Sequence, residues 1–140
     1  MQVYRQAWTR PTPDEARALG PRAGLRTLVR EVHLYCDERP CVFARTIIPR
    51  ATLQGKHRRL ARLGNRSLGA VLFADNTLQR SAPWLAVIGK QHAIFAAATA
   101  RTINKPKTLW GRRSLFYLSG KPLLLSELFL HDMSRCTLKR

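Results

Sequence analysis

The stretch 109-LWGRRSLFYLSGKPLLLSELFLH-131 decides how the chain folds. Two apolar runs flank Ser119-Gly120-Lys121. Gly120 supplies the positive φ of a tight turn and Pro122 opens the second arm, so the runs fold back as an antiparallel hairpin. Side chains alternate across a pleated strand, which places Leu123, Leu125, Glu127 and Phe129 on one face of the second arm. The matching set on the first arm is Trp110, Arg112, Ser114, Phe116 and Leu118, and it brings Arg112 or Ser114 beside Glu127. A carboxylate on an otherwise apolar face needs a partner or a ligand.

An earlier pair of runs carries the same anomaly. In 25-LRTLVREVHLYC-36, Arg30 shares a face with Leu28, Val32 and Leu34. The return arm 40-PCVFARTIIP-49 puts Arg45 among Cys41, Phe43 and Ile47, and the two runs form a second hairpin across Cys36–Pro40. One acid and two guanidinium groups on apolar strand faces are expected to converge as a polar constellation in a sheet-lined cavity. The competing explanation, with about equal weight, is a buried ion pair that satisfies only itself.

The order VREVHLY, ARTIIP, LGNRSLGAVLF, TLQR and LWGRRSLFYLSGKPLLLSELFL resembles the chorismate lyase (chorismate pyruvate-lyase) family, with strong motifs over residues 25–82 and 109–130 and weaker ones before them. The resemblance implies cofactor-independent cleavage of chorismate to 4-hydroxybenzoate and pyruvate, at the start of ubiquinone synthesis. Carried over position by position, it implies that Arg30 holds the ring carboxylate and that the backbone N–H of Leu68 binds it too. It also implies that Glu127 faces the oxygen at the ring's 4-position. Arg30 and Glu127 are therefore the expected catalytic residues, and Arg30, Leu68 and Glu127 the expected substrate-binding ones. Arg45 matches a recurrent motif arginine without an assigned role. Two departures stand out: the N-terminal helical segment that contributes a flap in the family is expected to be lacking here, and residues 83–108 are longer than in the relatives compared.

Composition bounds the rest. A chain of 140 residues with 45% hydrophobic content suits one domain, residues 1–140, with a single core. The net charge of +17, from 25 Lys and Arg against 8 Asp and Glu, favours an anionic partner; a dicarboxylate, nucleic acid or anionic lipid all fit that sign. Nucleic-acid binding ranks last, because Trp8, Trp84 and Trp110 are dispersed rather than clustered as a stacking platform. Cys36, Cys41 and Cys136 make no metal-ligand spacing with the four histidines, so reduced thiols and no metal are expected. With no signal-peptide core at the start, the expected setting is the cytoplasm, and the expected state a monomer without a membrane span.

Along the chain, residues 2–8 alternate as a strand, and Thr12-Pro13-Asp14-Glu15 is a capping box opening a helix that runs to about Leu19. Leu53, Leu60 and Leu63 share one side of a helix ending at Gly64, and Ser67 caps a short helical piece Leu68–Phe73. Residues 76–80 read as a short strand, 83–103 as a long alanine-rich helix, and 132–140 as a frayed basic tail. The expected fold is α+β: one antiparallel sheet of about five or six strands, helices on one side, and a buried ligand pocket between them. A non-catalytic module sensing a small aromatic acid, as in some bacterial transcription regulators, is the alternative function.

Overall fold

The hairpin over residues 109–129 lies inside the observed sheet, paired on both sides. The structure is a computed structural model describing residues 2–103 and 106–130. Its strands are β1 (Gln2–Thr9), β2 (Thr27–Cys36), β3 (Arg39–Pro49), β4 (Gln79–Arg80), β5 (Trp84–Gly89), β6 (Thr108–Leu118) and β7 (Lys121–Phe129). They pair antiparallel in the order β1-β2-β3-β7-β6, and β4 and β5 both pair along the outer edge of β6. The β6–β7 turn is the pair Ser119 and Gly120, with φ of 50° and 79°. Left-handed geometry at both positions matches the right-handed twist of the arms. The non-glycine Ser119 is held there by its N–H to Thr77 Oγ1 (3.0 Å), while its hydroxyl meets His57 Nε2 at 3.0 Å.

The α+β class and the antiparallel sheet are as expected, with two differences. The described sheet has seven strands rather than five or six, and helices cover both faces rather than one. On the face that carries Arg30, a 3-10 segment (Gly55–Arg62) and α2 (Leu68–Phe73) cover Leu28, Ile48, Phe116 and Leu123 through Leu53, Leu60, Leu63 and Leu72. On the opposite face, α1 (Pro13–Leu19) covers Val29, Ile47 and Leu124, and α3 (Ala93–Thr99) covers Phe43, Leu109 and Leu128. Burial on both sides explains why 123-LLL-125 is apolar without alternation.

Residues 83–103 do not form one helix. The aromatic and β-branched run Trp84–Gly89 finds an open edge on β6 and becomes β5; the chain turns at Lys90-Gln91, and His92 Nδ1 caps α3 by accepting from the Ile94 N–H. Alanine propensity is a weak preference that a hydrogen-bonding edge overrides. The strand expected at 76–80 shortens to Gln79–Arg80, because Asp75 takes the Thr77 N–H and hydroxyl at 2.8 and 2.6 Å in a side-chain turn. The tail and Cys136 lie outside the described residues.

The capping box at Thr12 forms as expected: the Thr12 N–H donates to Glu15 Oε1 at 2.9 Å and the Glu15 N–H to Thr12 Oγ1. The same Glu15 carboxylate receives both Nε and Nη2 of Arg45, at 2.9 and 3.0 Å, while Arg45 Nη1 donates to Glu31 at 3.1 Å. Burial pushes the Glu15 carboxyl up, but the hydrogen bonds from Arg45 and the Thr12 N–H, with the Arg45 charge, hold it below its ordinary value of 4.5. Burial likewise pushes Arg45 down, and its two acidic partners outweigh that and raise it. This triad fastens α1 to β2 and β3.

Arg45→Ala leaves two buried carboxylates unpaired and should cost about 3–5 kcal/mol in urea denaturation at neutral pH. Because folding lowers the Glu15 pKa, its contribution is complete above about pH 4.5 and is lost as pH falls through the lower folded value. Wild-type stability should therefore fall on acidification more steeply than that of Arg45→Ala; parallel pH profiles would contradict the triad's role.

Candidate active site

Strand register settles where each expected site residue points. Arg30 pairs with Thr46 on β3, which pairs with Leu125 on β7 and so with Ser114 on β6. One pleat further along, the row is Val32, Ala44, Glu127 and Arg112. Residues paired across an antiparallel ladder point the same way, so Arg30 and Glu127 share one face. Glu127 lies two strands across and two residues along from Arg30, which puts their Cα atoms roughly 12 Å apart. The β3 side chains between them, Ala44 and Thr46, are small and buried, as is Ser114 on β6, while Val32 and Leu125 complete the two rows.

Arg30 is 2% exposed, a guanidinium fully enclosed by the protein. Its Nη2 donates to the backbone carbonyls of Gly64 (3.0 Å) and Arg66 (3.1 Å), in the turn joining the 3-10 segment to α2. Gly64 adopts a φ of 58°, the left-handed conformation in which that turn reverses. Burial pulls the Arg30 pKa below its ordinary value. A cation removed from water interacts strongly with any anion that reaches it.

The Arg66 carbonyl that Arg30 holds lies two residues before Leu68, so this contact draws the start of α2 toward Arg30. Ser67 caps α2 as expected, its hydroxyl accepting from the Ala70 N–H at 3.3 Å. That leaves the Leu68 N–H in the first turn, where a helix offers no internal acceptor. The Leu68 side chain packs on the apolar cluster beneath.

Glu127 is answered by Arg112, one of the two neighbours expected from the hairpin. Nε and Nη2 of Arg112 both donate to Oε1, at 3.0 and 2.8 Å. Among the described residues Oε2 accepts no hydrogen bond. The Arg112 guanidinium also lies 5.8 Å from the Phe129 ring centroid, a cation–π contact that fixes it from the β7 side.

Arg45 does not join this group. Its partners across the ladder are Glu31 and Ser126, so it faces the opposite side of the sheet from Arg30 and Glu127. The expectation that Arg30, Arg45 and Glu127 converge fails by one residue of alternation: the two-residue turn Asp37-Glu38 pairs Tyr35 with Pro40, but a bulge at Cys41 then pairs Leu34 with Val42, and the ladder shifts so that Arg30 meets Thr46 rather than Arg45. The Gly64 and Arg66 carbonyls were not foreseen; a backbone acceptor leaves no mark in a sequence beyond the glycine that lets the turn form.

Two hollows open elsewhere. One of about 220 Å³ is lined by Trp84, Ile88, His92, Arg113 and Ser126, and also touches Arg112 and Glu127. The other, of about 250 Å³, is lined by Tyr4, Glu15, Glu31, Arg45, His92 and Ile94. Both belong mainly to the Arg45 face, and neither includes Arg30 or Leu68. Arg113 is paired with Asp14 at 3.0 Å in the first, and Arg45 with two glutamates in the second. Among the described residues no cluster of three or more His, Cys, Asp or Glu could hold a metal ion, and no helix is long and apolar enough to cross a membrane.

The fold is similar to that of the PhnF C-terminal domain, with a TM-score of 0.71 and 18% identity covering 94% of this chain and 82% of that one. It is also similar to the effector-binding domain of the Bacillus subtilis trehalose repressor, with a TM-score of 0.63 and 10% identity covering 99% and 94%. Identities this low speak to fold alone. In sequence, a Methylococcus capsulatus protein named "Probable chorismate pyruvate-lyase" is 44% identical over 130 residues, 93% of this chain and 79% of its own length. A Nitrosomonas europaea protein of the same name is 43% identical over 122 residues, 87% of this chain and 68% of its own length. Residues 1–136 match the family model described as Chorismate lyase, and with these relatives the match shows that the chain belongs to the chorismate lyase family.

Proposed function

We propose that this chain is a chorismate pyruvate-lyase acting in ubiquinone synthesis. The observation that carries the reading is the shared face of Arg30 and Glu127, a buried cation and a carboxylate separated by the small side chains Ala44 and Thr46. Arg30 and the Leu68 N–H hold the ring carboxylate through charge-assisted hydrogen bonds. Glu127 then lies at the far end of the ring, at the 4-position oxygen.

The reaction breaks the bond between C3 of the ring and the enolpyruvyl oxygen, removes the hydrogen on C4, and leaves the 4-hydroxyl as a phenol. The released enolpyruvate tautomerises to pyruvate. Atoms balance without water, and no electrons are exchanged with a carrier. Glu127 Oε2 is the carboxylate oxygen placed to take the C4 proton as the C3–O bond breaks, the proton then passing to the departing enolpyruvate, and Arg30 anchors the opposite end so that the C4 hydrogen is presented to it. Phenol formation provides the driving force; the protein supplies orientation and a fixed charge pattern.

The protein works as a monomeric, single-domain cytoplasmic enzyme without a nucleic-acid partner, in keeping with the matched buried charges and the scattered tryptophans. The alternative of a sensor for a small aromatic acid is supported by fold likeness alone, whereas the lyase reading is also supported by relatives above 40% identity.

Glu127→Ala should lower kcat for chorismate by roughly 10²–10⁴ with an unchanged circular dichroism spectrum. Turnover near the wild-type rate in that variant would remove Glu127 from the chemistry. Arg30→Lys should raise KM by about tenfold or more, because a point charge replaces a planar fork at the carboxylate. An unchanged KM would place the carboxylate elsewhere. Ultraviolet detection of 4-hydroxybenzoate with coupled detection of pyruvate measures both, and binding without any turnover in wild type would favour the sensor.

A further inference from the structure

We propose that Arg112 is a positioning residue that sets the preference of the site for ring acids carrying an oxygen at the 4-position. The inference rests on Glu127 facing that oxygen, as proposed above, and concerns what aims the carboxylate.

A glutamate on a strand has three side-chain torsions, and an exposed one samples several rotamers. Here both Arg112 donors end on the same oxygen, Oε1, at 3.0 and 2.8 Å. Two donors from one rigid guanidinium pin Oε1 at a defined point, and with the β7 backbone fixing the other end of the side chain they restrict the torsions that would otherwise let the carboxylate wander. The guanidinium is itself held in place, because Arg112 is locked opposite Glu127 by the β6–β7 register and lies against the Phe129 ring. Both side chains are largely withdrawn from water, at 21% and 17% exposure, so the pair is better ordered than a surface bridge. The consequence falls on the other oxygen. With Oε1 saturated, Oε2 remains as an acceptor on the Arg30 face, one that the 4-hydroxyl of 4-hydroxybenzoate can donate to and the aromatic C–H at the same position of benzoate cannot.

The charged groups around Glu127 fit this division of labour. Its row partners are Ala44, which is neutral, and Arg112; Arg30 is two strands away and bound to backbone carbonyls; Arg113 and Arg45 belong to the opposite face and are paired with Asp14, Glu15 and Glu31. Arg112 is thus the cation that can steer Glu127 directly.

The test compares dissociation constants of 4-hydroxybenzoate and benzoate by calorimetry for wild type, Arg112→Gln and Arg112→Lys, alongside chorismate turnover. Wild type should prefer 4-hydroxybenzoate by about tenfold or more, the worth of one hydrogen bond to a charged acceptor. Arg112→Gln should reduce that preference to within about threefold while benzoate affinity stays unchanged, and should lower kcat more than it raises KM. Arg112→Lys, which keeps the charge and loses the fork, should fall between the two. A full wild-type preference in either variant would overturn the proposal, as would an equal loss of affinity for both ligands. Wild-type protein that shows the preference but never converts chorismate would sink the lyase reading and leave the Arg112 assignment standing. Turnover that persists while Arg112→Gln keeps its preference would do the reverse.

Discussion

Strand register is the constraint on which the structure depends, because it decides which buried charge meets which. A guanidinium or carboxylate inside a sheet is tolerated only when a partner of opposite charge, or a set of hydrogen-bonding groups, lies within reach. Glu31 stands opposite Arg45, and Arg112 opposite Glu127, each pair set by ladder hydrogen bonds between backbones rather than by the side chains themselves. A slip of one residue in either hairpin would turn every one of these groups to the wrong side. The turn at Ser119-Gly120 fixes the register of β6 on β7, and on β2 and β3 the turn at Asp37 acts together with the bulge at Cys41.

The two faces of the sheet do different work with similar chemistry. On the Arg45 face an arginine and two glutamates satisfy one another and fasten α1 to the strands. The hollows on that side are bordered by these groups and by the Arg113–Asp14 pair. On the Arg30 face the arrangement is open-ended: Arg30 is held by backbone carbonyls, and the Glu127 carboxylate offers one oxygen that Arg112 does not use. The paired charges on the Arg45 face anchor the same strands from behind.

The long apolar stretch after Pro83 shows how an element's identity can be a property of its surroundings. Its composition suits a helix, yet six residues of it become β5, since β6 would otherwise present an unpaired edge. Leu85 and Val87 remain exposed on that strand, and their row neighbours include Arg112 and Trp110. The alanines that do become helical, in α3, cover Phe43 and Leu128 on the far face.

By itself the sequence determined the two hairpins, the pairing of Glu127 with one of two neighbours on the opposite arm, the capping box at Thr12 and the N-cap at Ser67, and the motifs that carry the family likeness. These are local matters: turn residues, alternation and capping chemistry act over a few positions, and the chain states them directly. Only the tertiary structure decided that Arg45 faces away from Arg30, that helices cover both sides, that residues 84–89 are a strand, and that backbone carbonyls cradle Arg30. Each of those outcomes depends on register between distant segments or on an acceptor every residue possesses, and neither is written in the identity of the side chains.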